Sequence, residues 1–250
     1  MTKFMMCCLL YAFFIVSIFS QQDGQSVFVK RIENNFYFHG PIDPIANLES
    51  KGEIEKLFFG DFNAPVEFSY LPAGENAAFR PPSGFRIVRD SLRKSYILEV
   101  KYVSNYAEAS EMASMKYPSI ASGSEWAGMP EDRRKQIINH NRAAFAKQQE
   151  ERLALLKIES SSIPISNQFA EKLYQKMVSF IDTYKAKGVG TLLVDDNEVV
   201  FRNVVGHEVW SLSIIHPRDV ALKMTDLCNQ IVTDARANKL VEKKYISALH

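Results

Sequence analysis

An apolar run near the start of the chain decides which residues are left to form the folded body. Phe4–Phe19 carries no charged side chain, follows Lys3, and precedes the small residue Ser20 and a polar segment that begins at Gln21. A positive start, an apolar stretch and a small residue before a polar segment are typical of a secretory signal peptide. We therefore expect residues 1–20 to be a signal peptide that is cleaved between Ser20 and Gln21.

The alternative interpretation of this run is a retained membrane anchor. A spanning helix needs roughly 20 apolar residues, whereas Phe4–Phe19 is shorter and lacks a basic flank on its far side. Cys7 and Cys8 lie at the start of the run and no cysteine directly follows it, which argues against a lipid-modified N-terminus. The sequence thus favours cleavage and an exported protein, periplasmic or secreted, with no stable membrane span in the mature chain.

Charge and cysteine content restrict the partners and the crosslinks of the mature chain. The sequence has 30 Lys and Arg, 29 Asp and Glu, and 3 Cys among 250 residues. Loss of Lys3 with the leader makes the mature chain formally neutral, and a neutral chain lacks the basic field that nucleic-acid-binding proteins use. Loss of Cys7 and Cys8 leaves Cys228 alone, so no disulfide forms within the mature chain and a packed core must stabilise it.

The first part of the mature chain has the patterns of β-strands. Short strands are predicted at 27–32, 35–38, 56–59 and 66–70. A hairpin is predicted from 85–90 and 95–103, because apolar and polar residues alternate from Tyr96 to Tyr102, which is typical of a strand with one buried and one solvated face. Prolines and glycine predict a loop at 76–84.

The middle of the chain is predicted to be helical. A short helix is expected from Asn105, as its N-cap, to Lys116, and a loop of small residues follows at 118–128. A long charged helix is expected from Pro130 to Ile158, because proline and the acids after it suit a helix N-terminus. We interpret it as a mostly solvated helix; the alternative is an exposed element that docks a partner.

The last part is predicted to be a helix, three strands and a helix. The first helix runs from Ser166 to Lys187, because its apolar residues recur at helical spacing. The remaining elements are strands at 191–194, 198–204 and 208–215, a helix that opens at Pro217, and a polar tail at 239–250.

These patterns predict an α+β protein with mainly antiparallel sheets, amphipathic helices packed on one side, and a long charged helix. The predicted parts are a signal peptide at 1–20, a β-rich part at 21–117, a loop and charged helix at 118–165, and the helix, strands and helix at 166–250. One compact domain over 21–250 is the alternative.

Candidate catalytic residues are few. His207-Glu208 begins like a zinc-protease helix motif, but Ser211 stands where the second histidine is needed and the segment is strand-like, so the motif fails. Asp195, Asp196 and Glu198 place three carboxylates within four residues, as in a calcium loop or an acid/base pair. The segment lacks the glycine of a calcium loop and is more typical of a tight turn. Cys228 falls on the apolar stripe of the last helix, where burial disfavours a thiolate.

Motifs for other chemistries are absent from the sequence. There is no glycine-rich phosphate loop and no glycine–serine–glycine elbow of a serine hydrolase. We therefore assign no catalytic, cofactor-binding or metal-binding residue, expect no cofactor, and expect no nucleic-acid partner.

Four segments resemble a group of exported bacterial proteins of unknown function. They are Gly60–Phe68, Gly84–Leu92, Phe169–Tyr174 and Val205–Leu212. The resemblance covers most of the chain after residue 55 and implies a Gram-negative envelope or secreted setting. It brings with it no catalytic or ligand-binding residue.

Three functional hypotheses follow. The first is a non-catalytic exported protein that binds a protein or a small molecule in the envelope. The second is a hydrolase whose site assembles in three dimensions around His207, with Asp195 and Asp196 as candidate carboxylates. The third is a subunit of a surface assembly that uses the charged helix at 130–158; oligomer formation is open.

Overall fold

A computed structural model describes residues 28–32, 35–41, 52–60, 64–72, 80–90, 94–120, 129–184 and 197–249. The strands are β1 Phe28–Ile32, β2 Asn35–Pro41, β3 Val66–Leu71, β4 Ser83–Asp90, β5 Ser95–Val103, β6 Ile158–Ile165, β7 Glu198–Val205 and β8 Glu208–Ile215. The helices are α1 Glu53–Phe58, α2 Tyr106–Lys116, α3 Glu131–Leu155, α4 Asn167–Thr183, α5 Asp219–Arg236 and α6 Glu242–Ala248. The predicted signal peptide, its cleavage site at Ser20 and Gln21, and the strand at 191–194 lie outside the described residues.

All eight strands form one antiparallel sheet in the order β1-β2-β8-β7-β3-β4-β5-β6. Strands from the first and last parts of the chain alternate in it, since β8 pairs with β2 and β7 pairs with β3. The sheet therefore contains strands from the predicted parts 21–117, 118–165 and 166–250. The predicted α+β class with antiparallel pairing is confirmed.

Helices α4 and α5 cover one face of the sheet, which we call the helix face. Ser166 caps α4, because its hydroxyl accepts a hydrogen bond from Phe169 N at 3.2 Å. The predicted apolar stripe of α4 is buried against the sheet, and the helix ends at Thr183, before the predicted Lys187. Phe201 of β7 lies at the centre of this layer, with ring centroids 5.0 Å from Phe180 and 5.4 Å from Phe68.

Helix α1 packs on the opposite face of the sheet, and the strand predicted at 56–59 is wrong. Ile54 and Phe58 are buried one turn apart on the same side of α1, which is the pattern of a helix. Glu55 Oε2 also accepts a hydrogen bond from Gly52 N at 2.9 Å, which satisfies a free amide at the helix start. Four residues were too few to distinguish the helical period from a short strand.

The loop predicted at 76–84 extends too far, because β4 already begins at Ser83. Gly84 lies where β3 and β4 approach closely: a Cβ atom there would be 2.4 Å from Phe68 O. Glycine at this position therefore permits the strand pairing and does not mark a turn.

Strand β6 was missed by the sequence interpretation, which continued the long helix to Ile158. The helix ends at Leu155, and residues 158–165 pair with β5 along their whole length. Serines obscure the alternation of β6, and Pro164 argues against a strand interior. Proline is tolerated here because β6 lies at the edge of the sheet.

The predicted polar tail at 239–250 is wrong, since it contains helix α6. Tyr245 is buried, and its hydroxyl donates to Asp234 Oδ2 at 2.5 Å. Glu242 accepts a hydrogen bond from Ser166 N at 3.0 Å, so α6 also contacts the N-terminus of α4. The end of the chain is thereby attached to both helices of the helix face.

Helices α2 and α3 pack against each other and form a helical arm. The predicted charged helix is confirmed, and Ala144 is the buried residue of α3. Asn105 does not cap α2 with its side chain; its Nδ2 donates to Leu155 O at 3.0 Å and its Oδ1 accepts from Lys157 N at 2.7 Å. These bonds hold the two ends of the arm together.

None of the helices in the described ranges is long and apolar enough to cross a membrane.

Candidate functional site

A half-open pocket of about 260 Å³ lies between the N-terminal half of α4 and the sheet. Ligand sites are commonly concave and mainly apolar, with a few polar groups. The pocket has this character. It is lined by Pro65, Val66, Ile87, Tyr96, Ala170, Glu171, Tyr174 and Val204.

The position of α4 and one small side chain explain why this space is open. The cap at Ser166 fixes the start of α4, directly after β6. Ala170, one turn into the helix, then faces Val66 and Ile87 across the pocket with a methyl group alone. Leu173 and Met177, further along the helix, are fully buried against the sheet. The pocket therefore lies where α4 presents a small side chain, that of Ala170, to the sheet.

The wall formed by Pro65 is held by two hydrogen bonds. Pro65 O accepts from Val204 N at 3.2 Å and from Asn203 Nδ2 at 3.1 Å. Asn203 is buried, and its Oδ1 makes no hydrogen bond with any described residue. Asn203 thus holds Pro65 in place with its amide nitrogen, but it does not itself line the pocket.

The polar groups of the lining differ in their freedom to bind a ligand. The Tyr174 hydroxyl donates to Val204 O at 3.1 Å, and burial raises its pKa, so it stays neutral and fixed. Glu171 is exposed at the rim and is the one charged residue among those that line the pocket. Tyr96 is half-buried opposite α4. The pocket therefore presents apolar walls and a negatively charged rim.

A second group of ionisable side chains lies on the opposite face of the sheet, under α1. The strand register aligns Arg202, Glu67, Arg86 and Glu99 directly across β7, β3, β4 and β5. Arg86 Nε lies 2.6 Å from Glu99 Oε2. We call these four residues the charged row.

The charged row is completed by Glu55 of α1. Arg202 donates from Nε to Glu55 Oε1 at 3.0 Å and lies 3.9 Å from Glu67 Oε1. Arg202, Glu55 and Glu67 are all buried. Their charges contact one another across elements of the same fold, so this group holds α1 on the sheet and we do not assign it a substrate.

Glu198 lies at the end of β7 on this same face. Its Oε1 accepts a hydrogen bond from Ser213 Oγ at 2.6 Å. Burial, and to a lesser extent the charge of Glu55, raises the pKa of Glu198, although the Ser213 bond and Arg202 oppose the shift. The carboxyl of Glu198 therefore keeps its proton to a higher pH than an ordinary glutamate does.

His207, the centre of the hydrolase hypothesis, is exposed in the turn between β7 and β8. No carboxylate of the described ranges contacts it, and Asp195 and Asp196 lie outside those ranges. Asn197, the described residue nearest to these aspartates in sequence, precedes β7, whereas His207 follows it. β7 has eight residues and is about 25 Å long, so His207 and Asn197 lie at opposite ends of the strand. The adjacent Gly206 has φ of 62°, which suits glycine in a tight turn.

The other predicted roles are structural. Cys228 is a free, buried cysteine, and burial raises the pKa of its thiol, as expected for a residue on the apolar stripe of α5. His140 is exposed, with Nε2 3.3 Å from Pro118 O. Within the described part of the chain, no three His, Cys, Asp or Glu residues are grouped so that they could hold a metal ion.

The sequence interpretation missed the pocket. Tyr96, Glu171 and Tyr174 were not among the candidate site residues. No short motif connects them, since they come from β5 and α4 and meet only because α4 crosses the sheet.

No protein-family model matches this chain, and no curated protein shows significant similarity to it. The resemblance to exported bacterial proteins therefore stays a prediction.

Proposed function

We propose that the protein is an exported binding protein whose pocket beneath α4 holds a small, mainly apolar molecule with a positively charged or hydrogen-bond-donating group. The observation that carries this proposal is the pocket itself: about 260 Å³, half open, apolar in its walls and bordered by Glu171. The non-catalytic role and the export remain part of the proposal, and the leader sequence supports the export.

The size of the pocket limits the ligand. Pockets for drug-sized molecules measure about 300–1,000 Å³, so this space suits a smaller molecule or one end of a longer one. Val66, Ile87 and the two tyrosine rings offer apolar surface, and burial of an alkyl or aromatic group against them supplies the binding free energy.

The charge of the rim selects the polar end of the ligand. Glu171 attracts a cation and repels a carboxylate, and the lining residues contribute no basic side chain that would reverse this preference. An amine is therefore preferred over an acid of equal length.

Two probes of equal chain length test the proposal. Hexylamine and hexanoate are titrated into the 15N-labelled mature chain, and amide shifts are followed around residues 64–66, 87, 96 and 170–174. We expect hexylamine to shift these amides at lower concentration than hexanoate does. Equal shifts from both probes, or shifts confined to other regions, would contradict the proposal.

Two variants test whether the probes bind in the pocket or elsewhere on the protein. Ala170→Leu fills the space and should abolish the hexylamine shifts, whereas Glu171→Gln should keep binding but remove most of the preference over hexanoate. Asp182→Asn is the matched control, because it removes one negative charge from the exposed side of the same helix. Since Glu171 is exposed, its variant remains informative even where Ala170→Leu is poorly folded.

Export is tested separately. The full-length chain with a C-terminal epitope is expressed, cells are fractionated, and the N-terminus of the mature protein is sequenced. We expect a chain that begins at Gln21 outside the cytoplasm, and retention of the leader when Ser20 is replaced by Phe. A full-length chain in the cytosolic fraction would refute export without affecting ligand binding.

A further inference from the structure

Four of the large exposed apolar side chains lie on the helical arm. Met112 and Met115 of α2 are 48% and 71% exposed, and Ile138 and Phe145 of α3 are 41% and 58% exposed. Scattered apolar residues on a surface are normal, but several on one projecting element indicate an interaction surface.

On α3 these residues belong to a basic stripe. Arg134, Ile138, Arg142 and Phe145 are spaced by four, four and three residues, so they lie along one side of the helix. All four are exposed. The contacts of α3 with the segment that joins it to α2 are made by other residues, since Asn141 bonds to Ile120 and Gln148 bonds to Tyr117 O.

On α2 the exposed face is acidic. Glu108, Glu111, Met112 and Met115 are all exposed, and spacings of three and four residues place them on the same side. Ala109 and Ala113, both buried, form the side that packs in the arm. We call this set the acidic face of α2. It carries two carboxylates and two methionines, while the basic stripe of α3 carries two guanidinium groups and two apolar side chains.

We infer that copies of this chain associate through their arms, with the acidic face of α2 in one copy against the basic stripe of α3 in another. The two surfaces have opposite charge and the same mixture of apolar and charged residues, and both are present on every copy. Paired helices of this kind bury apolar side chains between them, and flanking charges select partner and orientation. The interface lies apart from the pocket beneath α4, so it does not depend on the proposed ligand.

Charge reversal and charge exchange test this interface on the full mature chain. Sedimentation velocity at about 0.1 M salt should show a species of at least twice the monomer mass, which dissociates at about 1 M salt because the Debye length falls from about 10 Å to about 3 Å. Glu108→Lys with Glu111→Lys should weaken association at least about tenfold, and so should Arg134→Glu with Arg142→Glu.

An equimolar mixture of the two double variants gives the decisive result. Each variant alone carries surfaces of one sign and should associate at least about tenfold more weakly than the wild type, whereas the mixture should associate again. Lys239→Glu with Lys243→Glu is the control, because it reverses two exposed charges outside the arm and should leave association unchanged.

Three outcomes would overturn the inference. The first is a wild-type chain that stays monomeric up to the highest soluble concentration. The second is association that survives both double variants, since another surface then mediates it. The third is a monomer whose arm binds vesicles of anionic lipid and loses this binding on Arg134→Glu with Arg142→Glu, since the stripe then serves a membrane surface.

Discussion

The two faces of the sheet are built from alternating residues of the same strands, yet they have different chemistry. On the helix face, Phe68, Phe85 and Phe201 pack with α4 and α5. On the opposite face, Glu67 and Arg202 lie between the apolar positions of the same strands and are buried with α1. Alternation along a strand normally indicates one buried and one solvated face. Here helices pack on both faces, and the buried charges of the polar face lie beside charges of opposite sign.

The difference indicates a division of roles. The helix face removes a large apolar area from water and supplies most of the stabilisation. The charged row fixes register, because a slip of one residue would move Glu67 or Arg86 into the apolar layer and would separate each charge from its partner. Four measurements test this division, from the largest expected effect to the smallest.

Phe201→Ala tests the helix face. The change removes a fully buried ring that contacts Phe68 and Phe180, and we expect the free energy of unfolding to fall by about 4 kcal/mol. Urea denaturation measures it. Val220→Ala, at an exposed apolar position, is the control and should change stability by less than about 0.5 kcal/mol. A loss below about 1 kcal/mol for Phe201→Ala would show that the helix face is not the main source of stability.

Arg202→Met tests the charged row. It leaves Glu55 and Glu67 buried without their cation, and we expect a loss of about 3 kcal/mol in urea denaturation. Adding Glu55→Gln and Glu67→Gln to the same chain should recover most of this loss, because the uncompensated charges are removed. A triple variant that is no more stable than Arg202→Met would contradict uncompensated buried charge as the cause of the loss. Arg133→Met, at an exposed arginine, is the matched control.

Tyr245→Phe tests the rim of the helix face, where water reaches a polar contact. The Tyr245 hydroxyl donates to Asp234 and is the main cause of the lowered pKa of that carboxyl. We expect a loss of about 1 kcal/mol at neutral pH. Because the pKa of Asp234 is lower in the folded state, this contribution is present above the ordinary carboxyl range and is lost as the pH falls through the folded pKa. The melting temperatures of variant and wild type should therefore converge in acid; a constant difference would contradict this.

Glu198→Gln, on the face of the sheet that carries the charged row, should show the opposite pH dependence. Burial raises the pKa of Glu198, so the folded state favours the protonated form, and stability falls as the pH rises from the unfolded to the folded pKa. Removing the charge should make the variant melt at a higher temperature than the wild type at neutral pH, while Oε1 can still accept from Ser213. The gain should disappear in acid, and a variant less stable at neutral pH would contradict the assigned cause.

Local patterns predicted the helix face well. The apolar stripe of α4 and the hairpin of β4 and β5 follow from spacing alone, because each is decided by residues close in sequence. The errors at α1 and β6 have a different cause. Both segments are short, and packing decides their conformation: Phe58 of α1 and the adjacent Phe59 are buried against Val103, and β6 is held by β5.

The pocket and the charged row could not be predicted, since each depends on contacts between distant segments. Glu67 and Arg202 are neighbours because β7 pairs with β3, and nothing near either residue indicates that pairing. The pocket requires Ala170 of α4 to lie opposite residues of four different strands, β3, β4, β5 and β7. The charged composition of α3 predicts its exposure, but the acidic face of α2 is defined only by the packing of Ala109 and Ala113 in the arm.

The pairing of β7 with β3 also sets the order in which the chain can fold. Until residues 198–215 are available, β3 has an open edge in the middle of the future sheet, and β2 lacks its partner β8. Contacts so distant in sequence form slowly, because the entropy of closing a long loop is lost before the contacts stabilise the chain. The sheet therefore stays incomplete until residues 198–215 have been synthesised, and β2 and β3 keep unpaired edges until then.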